Sequence, residues 1–114
     1  QKIIGFSAIK SVKKLKDDII LNVNKNNWVI NEDYCQGGYA KISKELINFI
    51  NDFYKTKNIP LDCIYTGKMM MGVLDLIKKN KFSNGSNILI IHTGGIQGNR
   101  GINKRYDLNL PHNF

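Results

Sequence analysis

The sequence contains little that would mark a disulfide-bonded, zinc-binding or membrane-spanning protein. Its two cysteines, Cys35 and Cys63, have no CxxC neighbour, so their spacing favours neither a disulfide framework nor a zinc site. We expect reduced, partly buried thiols. No apolar run approaches the roughly 18 residues of a transmembrane helix, and no charged-then-apolar leader is present. These absences predict a cytoplasmic protein.

Acidic residues are also scarce, since 9 of them stand against 17 basic residues and give a formal net charge of +8. An excess of this size raises nucleic acid as a partner. However, the basic residues are spread over several segments among abundant Asn and Ile, without an RNA-binding or helix-turn-helix signature. The pattern favours solvated surface and no nucleic-acid partner. A stand-alone, non-catalytic basic binding domain remains the alternative from another functional class.

The length of 114 residues suits a single domain, and no linker or repeat suggests a boundary within residues 1–114. The first residue is Gln1 and leads directly into a strand-like run, so we expect a piece of a longer protein.

Alternation and apolar spacing predict an α/β domain: a layered, mostly parallel sheet with flanking helices. Leu46, Phe49, Ile50 and Phe53 follow the i, i+3, i+4, i+7 spacing of a helix with one buried face. The methionine triplet in the next helix suits core packing far better than metal or redox chemistry. Helices are predicted at residues 13–23, 43–54 and 68–79, strands at residues 2–9, 28–31, 60–65 and 87–91, and an aperiodic tail beyond residue 101.

Two glycine-flanked polar segments end predicted strands: Tyr65-Thr66-Gly67 and His92-Thr93-Gly94-Gly95. Because ligands of open α/β sheets lie at the carboxyl ends of the strands, these segments form a candidate site. The glycine spacing matches neither a Walker loop nor a full dinucleotide fingerprint, so an ordinary strand-to-loop turn competes with a phosphate-binding role.

Tyr65 is the candidate acid or base, because a phenol at a strand end can be tuned toward proton transfer. His92 has no second His or Cys nearby, which favours a structural imidazole hydrogen-bonded in the core. The loop around Gly37 and Gly38 carries two tyrosines, Tyr34 and Tyr39, and an ordinary surface turn is the simplest interpretation of it.

Three ordered motifs resemble one known family: residues 61–70 (Leu-Asp-Cys-Ile-Tyr-Thr-Gly-Lys-Met-Met), residues 92–95 (His-Thr-Gly-Gly) and residues 37–41 (Gly-Gly-Tyr-Ala-Lys). They are similar to the carboxyl-terminal part of the 1-aminocyclopropane-1-carboxylate deaminase and D-cysteine desulfhydrase family. Residues 4–8 (Ile-Gly-Phe-Ser-Ala) also resemble the family's strand entering this region, and the likeness extends from Lys2 to about Asn103.

The resemblance implies a pyridoxal 5'-phosphate enzyme of the tryptophan-synthase-β type. Such enzymes have a two-domain fold type II architecture with the cofactor between the domains, and are normally homodimers. Residues 1–114 would then be a carboxyl-terminal fragment of the larger, cofactor-binding domain.

The resemblance also implies roles for individual residues. Tyr65 would lie at the reactive carbon of the substrate as nucleophile or proton donor, and Tyr39 would be a second active-site tyrosine, with Tyr34 as an alternative register. Thr66 would face the pyridine nitrogen. Thr93, with Gly94 and Gly95, would line the floor of the cofactor pocket.

Two departures from the family pattern bear on the substrate. Cyclopropane deaminases have Glu and Leu where this chain has Thr66 and Thr93. A hydroxyl holds the pyridine nitrogen protonated less firmly than a carboxylate, and β-elimination of a thiolate needs a weaker electron sink than cyclopropane opening. The sequence therefore leans to a D-cysteine desulfhydrase-like reaction giving pyruvate, ammonia and sulfide, with cyclopropane deamination as the alternative.

A third departure is an absence. In this family the Schiff-base lysine, the serine-asparagine segment that holds the substrate carboxylate and the main phosphate loop lie upstream of the resembling region. Lys68 does not match that lysine. We therefore expect the chain to be catalytically incomplete without its missing amino-terminal part.

Overall fold

A computed structural model describes residues 1–113 of the chain. In this part of the chain a two-stranded parallel sheet is accompanied by four helices. In chain order the elements are β1 (Ile3–Phe6), α1 (Lys13–Asn22), β2 (Trp28–Asn31), α2 (Lys44–Lys57), α3 (Thr66–Lys78) and α4 (Gln97–Tyr106).

The sheet confirms the predicted parallel pairing. Strands β1 and β2 run in the same direction, with Ile3 opposite Trp28 and Phe6 opposite Asn31. Parallel strands need a crossover, and α1 provides it. The predicted α/β class is therefore confirmed, although the sheet formed within residues 1–113 is smaller than the layered sheet that we expected.

Helix α2 forms where the apolar spacing predicts it. Its start is fixed by Ser43, whose hydroxyl oxygen accepts a hydrogen bond from the Leu46 N–H at 3.0 Å. It ends at Asn58, which adopts the left-handed conformation common after helices. The buried face of α2 packs against α3, where Gly67 lets the two approach: a Cβ there would lie 2.7 Å from the Ile50 Cδ1 of α2.

The core lies where α2, α3, α4 and the chain around Leu61 meet. Its buried members are Leu46, Ile50, Leu61, Cys63, Met70, Ile102 and Leu110. Met70 belongs to this core and Met71 packs against it, which confirms a packing role for this part of the methionine triplet. Both cysteines are free, as predicted, and burial raises the pKa of the Cys63 thiol to about 11.

The predicted strand at residues 87–91 is wrong. The segment forms neither helix nor strand, and its apolar side chains reach solvent, with Leu89 86% and Ile91 66% exposed. A strand needs a hydrogen-bonded neighbour, and no described residue pairs with this segment. Sequence alone correctly identifies an apolar segment there but cannot supply the partner.

Two further expectations about secondary structure need correction. Residues 60–65 do not form a strand, because the Asp62 side chain captures the backbone N–H groups of Ile64 and Tyr65 and folds the chain into a turn. The segment after residue 96 contains a helix, α4, which its polar sequence conceals. The tail docks at Leu110, which is buried against the core, and Phe114 lies outside the described residues.

Among residues 1–113, no helix has the length and apolar character needed to cross a membrane.

A hydrogen-bonded trio ties the start of the loop at residues 32–41 to the end of α3. The Tyr34 hydroxyl donates to an Asp75 carboxylate oxygen at 2.6 Å, and the Lys79 ammonium lies 2.7 Å from the same oxygen. The bond from Lys79, and then that from Tyr34, holds the pKa of Asp75 below its ordinary value. Below that pKa the carboxylate is protonated and the ion pair is lost.

We therefore expect Tyr34→Phe to lower the midpoint urea concentration of unfolding at pH 7 and to lower it much less at pH 3. Because the pKa of Asp75 is lower in the folded chain than in the unfolded chain, its ionised carboxylate stabilises the fold at pH values above the unfolded pKa of about 4. This contribution is lost as the pH falls through the folded pKa. Asp18→Asn, which removes an exposed pair with Lys14, is the matched control and should change little at either pH. An equal effect of Tyr34→Phe at both pH values would contradict this prediction.

Candidate active site

The Asp62 carboxylate organises the turn that presents Tyr65. It accepts hydrogen bonds from the backbone N–H groups of Ile64, Tyr65 and Thr66, each at 2.8 Å. It also accepts the Thr66 hydroxyl hydrogen at 2.6 Å, while the Asp62 N–H donates to the Thr66 hydroxyl oxygen at 2.9 Å. Because Asp62 itself is buried, these bonds form away from water and fix the start of α3.

The turn sends two consecutive site residues in different directions. The Tyr65 side chain is 51% exposed, whereas Thr66 is 2% exposed and is held by Asp62. Tyr65 can therefore meet a ligand directly. The Thr66 hydroxyl has already donated its only hydrogen, so toward any further group its oxygen can act only as an acceptor.

The structure brings Tyr39 next to Tyr65. Their ring centroids are 6.3 Å apart and the rings are inclined at 59°. The neighbouring Tyr39 phenol, acting as a hydrogen-bond partner, raises the pKa of Tyr65 above its ordinary value, and burial and the Asp62 charge act in the same direction. Tyr65 therefore keeps its proton at neutral pH. Tyr34 does not share this position, since it bonds to Asp75 and packs against Phe6.

Tyr39 lies in a loop that needs unusual backbone angles. Gln36, Gly37, Gly38 and Ala40 all have positive φ. The Gly38 N–H bonds to the Cys35 carbonyl and the Lys41 N–H bonds to the Gly38 carbonyl, each at 3.1 Å, so two tight turns follow one another. This loop is thus a shaped part of the site and more than an ordinary surface turn.

Lys68, in the first turn of α3, reaches into this loop. Its ammonium donates to the carbonyl oxygens of Cys35, at 2.9 Å, and Gly38, at 3.0 Å. The side chain is 1% exposed, and this burial lowers the pKa of Lys68. A lysine so engaged is unavailable for a covalent bond to a cofactor, which agrees with its mismatch to the family's Schiff-base lysine.

The segment at residues 92–95 lies beside the turn at Asp62. The His92 Nδ1 accepts the Gly94 N–H at 3.0 Å, so its Nε2 carries the hydrogen donated to the Pro60 carbonyl at 2.8 Å. His92 is thus structural, as predicted, but exposed instead of lying in the core. Gly95, with φ of +95°, packs against Asp62, and a Cβ there would lie 3.2 Å from the carboxyl carbon. Thr93 and Gly94 adjoin it, and the Thr93 side chain is exposed.

Asn99 of α4 holds the other side of the turn. Its amide oxygen accepts the Cys63 N–H at 3.0 Å, and its amide nitrogen donates to the carbonyls of Leu61, at 2.9 Å, and Pro111, at 2.7 Å. Asn99 is fully buried, and every one of these bonds is to backbone. Helix α4 is therefore attached to the site by the hydrogen bonds of Asn99. A sequence pattern of apolar residues cannot predict such an attachment.

Three supporting residues were missed by sequence reasoning: Asp62, Lys68 and Asn99. An Asp shortly before an apolar helix is a known start signal, so Asp62 had a recognisable pattern. Lys68 and Asn99 had none, because lysine and asparagine at helix positions are usually solvated. No group of His, Cys, Asp and Glu side chains within the described residues is arranged to hold a metal ion.

Comparison with known proteins finds relatives named as 1-aminocyclopropane-1-carboxylate deaminases. No family model matches it. A Pyrococcus abyssi protein named "Putative 1-aminocyclopropane-1-carboxylate deaminase" is 39% identical over 87 residues, covering 76% of this chain and 26% of that protein. A 1-aminocyclopropane-1-carboxylate deaminase from a Bradyrhizobium species is 35% identical over 94 residues, covering 82% of this chain and 25% of its own length. One from Rhizobium leguminosarum is 29% identical, covering 92% of this chain and 35% of its own length.

The chain thus spans between a fifth and about a third of the length of the curated relatives it matches. The similarity to these relatives covers most of the chain and agrees with the resemblance carried by its three motifs. The chain belongs to the 1-aminocyclopropane-1-carboxylate deaminase family of enzymes.

Proposed function

We propose that this chain forms one wall of the active site of a pyridoxal-phosphate-dependent enzyme that releases ammonia from a small amino acid. The observation that carries the proposal is the Tyr39 and Tyr65 pair: two phenols, 57% and 51% exposed, held side by side on a turn that Asp62 fixes. In this proposal the chain belongs to the larger domain of a two-domain, fold type II, homodimeric protein.

The residues present fit one side of a flat aromatic cofactor. The donor set consists of phenols, hydroxyls and glycine backbone, which suit an aromatic ring and a phosphate better than a metal ion. At Gly94, whose φ is +88°, a Cβ would meet nothing within 4 Å, so this stretch of backbone is open to a neighbouring group. Thr93, Gly94 and Gly95 would line the cofactor, and Tyr39 and Tyr65 would face the substrate.

Pyridoxal phosphate, when bound, supplies an electron sink for the substrate's α-carbon. We assign to Thr66 the acceptance of a hydrogen bond from a protonated ring nitrogen. Its hydroxyl is 2% exposed, donates to the Asp62 carboxylate and already accepts the Asp62 N–H, so this contact requires its remaining lone pair to become accessible when the cofactor binds. Donation to a carboxylate makes the hydroxyl oxygen a better acceptor. Thr66 would therefore favour the protonated ring more than an isolated threonine could, though less than a direct carboxylate.

Tyr65 is proposed as the proton donor. The phenol holds its hydrogen at neutral pH, and its raised pKa suits donation to an atom of the substrate that is more basic than the phenolate. Tyr39 contributes by lying beside the Tyr65 ring and by keeping the pKa of Tyr65 raised. The lysine that would bond the cofactor covalently is assigned to the remainder of the polypeptide, because Lys68 is engaged with the loop carbonyls.

The substrate we favour is D-cysteine. Thr66 and Thr93, in place of Glu and Leu, favour the less demanding elimination of a thiolate over the opening of a cyclopropane ring. One D-cysteine and one water then give pyruvate, ammonia and hydrogen sulfide. Deamination of 1-aminocyclopropane-1-carboxylate is the second candidate, supported by the names of the relatives.

The test is a hybrid enzyme in which this chain replaces the matching 87-residue segment of the Pyrococcus abyssi relative. We expect the hybrid to bind pyridoxal phosphate, seen as a visible absorbance band, and to release equal amounts of ammonia and sulfide from D-cysteine. Thr66→Glu should shift ammonia release toward the cyclopropane substrate. A folded hybrid that binds cofactor and releases ammonia only from the cyclopropane amino acid would overturn the D-cysteine assignment.

A further inference from the structure

We propose that Lys68 is a positioning residue that sets the distance between the Tyr39 and Tyr65 phenols by holding the loop at residues 35–41 onto α3. The positions of Tyr39 and Tyr65 are observed in the structure and do not depend on the proposed function. Only their consequence for proton transfer rests on the proposed function.

Lys68 binds the loop at two structurally equivalent points. The loop consists of two consecutive turns, one from Cys35 to Gly38 and one from Gly38 to Lys41, each closed by a backbone bond of 3.1 Å. The Lys68 ammonium donates to the carbonyl oxygen that opens each turn, Cys35 at 2.9 Å and Gly38 at 3.0 Å. One side chain therefore fixes the orientation of both turns at once.

Tyr39 occupies the position directly after the second of these carbonyls. Lys68 lies one helical turn after Tyr65, so Tyr65, Lys68, the Gly38 carbonyl and Tyr39 form a short connected path. Along this path no residue separates the ammonium's anchor, the Gly38 carbonyl, from Tyr39. Movement of the Gly38 carbonyl would move Tyr39 relative to Tyr65.

Removing the Lys68 ammonium from water costs free energy, which its hydrogen bonds to the two loop carbonyls must offset. No carboxylate within residues 1–113 forms an ion pair with it, and the ammonium is almost completely removed from water. An isolated buried cation is unfavourable unless hydrogen bonds compensate it. Lysine suits this position because its compact ammonium has three donors and can bond two carbonyls that face it from different turns.

The loop is poorly suited to hold its own shape. Positive φ at Gln36 and Ala40 is strained for residues with a side chain. The Tyr34–Asp75 bond holds the chain to α3 just before the first turn, and within the two turns the hydrogen bond to α3 besides those of Lys68 is a weak contact of 3.5 Å from Gln36 to the Met71 sulfur.

Without the Lys68 ammonium, the buried Gly38 carbonyl oxygen and the half-buried Cys35 carbonyl oxygen would lose their α3 partner. We expect the second turn to swing away and carry Tyr39 with it.

The proposal is tested by a double-mutant cycle read from the pKa of Tyr65. Chains labelled with ¹³C at the tyrosine Cζ are titrated by NMR, with Tyr65 assigned from Tyr65→Phe. In the wild-type background Tyr39→Phe should lower the pKa of Tyr65, because Tyr39 is the leading cause of its elevation. In the Lys68→Met background Tyr39→Phe should change that pKa by less than about a third as much.

The controls separate positioning from folding. Lys78→Met removes an exposed lysine from the same helix and should leave the full Tyr39 effect in place, and Lys68→Arg should retain most of it. If Lys68→Met lacks the helical circular dichroism of the wild-type chain, the cycle is run in Lys68→Gln, which is too short to reach both carbonyls. An undiminished Tyr39 effect in either folded background would overturn the proposal, as would the absence of any Tyr39 effect on the pKa of Tyr65 in the wild-type background.

This experiment needs neither cofactor nor substrate. If Tyr39→Phe changes the pKa of Tyr65 much less in the Lys68→Met background and the hybrid is inactive, the positioning role is supported and the proposed function is rejected. An undiminished effect together with an active hybrid would reject the positioning role alone.

Discussion

Replacing Asp62 with alanine should destabilise the chain by about 3 kcal/mol or more in free energy of unfolding. Three backbone N–H groups and one hydroxyl would lose the carboxylate that accepts them. Hydrogen bonds to charged groups contribute about 1.5–3 kcal/mol each, and buried donors left unpaired cost more than exposed ones. The Asp62 carboxylate is thus the shared acceptor for one side of the turn before α3, while Asn99 holds the other side.

Urea unfolding followed by circular dichroism measures this effect. Asp62→Asn keeps one oxygen acceptor and should lose roughly half as much stability, whereas Asp52→Ala, at an exposed position of α2, should change little. An Asp62→Ala chain within about 0.5 kcal/mol of wild type would show that the turn is held by other contacts.

Replacing Tyr65 with phenylalanine should lower the turnover number of the hybrid enzyme by about 10²–10⁴-fold, the range for loss of a positioned acid or base. The ring and its packing against Tyr39 remain, so only the transferable hydrogen is removed. Because that hydrogen is needed in the transition state and contributes little to substrate binding, KM should change much less than kcat.

Steady-state ammonia release measures both constants. Tyr106→Phe removes the hydroxyl of an exposed tyrosine on α4 and is the matched control, which should leave kcat unchanged. Tyr39→Phe should have an intermediate effect, because Tyr39 acts through Tyr65. A Tyr65→Phe hybrid with full turnover would remove Tyr65 from the proton-transfer role.

Local sequence patterns predict the elements whose stabilisation is local. Helix α2 carries both a serine cap and an apolar stripe, and β2 is a β-branched and aromatic run between asparagines, so both were predicted close to their observed bounds. Residues 87–91 have an equally clear apolar run but form no strand, because pairing depends on a neighbour that is distant in sequence or outside the chain.

The ligand-facing candidates of the site could be proposed from motifs, but the residues that support them could not. Tyr65 and Thr66 are predicted from their place at the end of an expected strand. That Tyr65 is exposed while Thr66 is buried follows from the bonds of Asp62, which the sequence does not reveal. Lys68 binds carbonyls 30 and 33 residues away, and Asn99 binds a carbonyl 38 residues away. Such side-chain-to-backbone bonds leave no periodic signal in the sequence, because a single polar residue makes them once.

The polar helix α4 illustrates the same limit. Its one well-buried apolar side chain, Ile102, cannot create a recognisable stripe, and the helix is fixed instead by the bonds of Asn99 and Asn103 to backbone. Its start follows Gly94 and Gly95, whose positive φ allows the chain to turn from the site into the helix.

The most direct test of the central claim is the release of ammonia by the hybrid of this chain with the remainder of the Pyrococcus abyssi relative. If the chain supplies one wall of a pyridoxal-phosphate active site, the hybrid releases ammonia from D-cysteine with equimolar sulfide, and Tyr65→Phe lowers the turnover number for both by about 10²–10⁴-fold. A correctly folded hybrid that binds no pyridoxal phosphate and releases no ammonia from either amino acid would contradict the account, and would favour a basic binding domain instead.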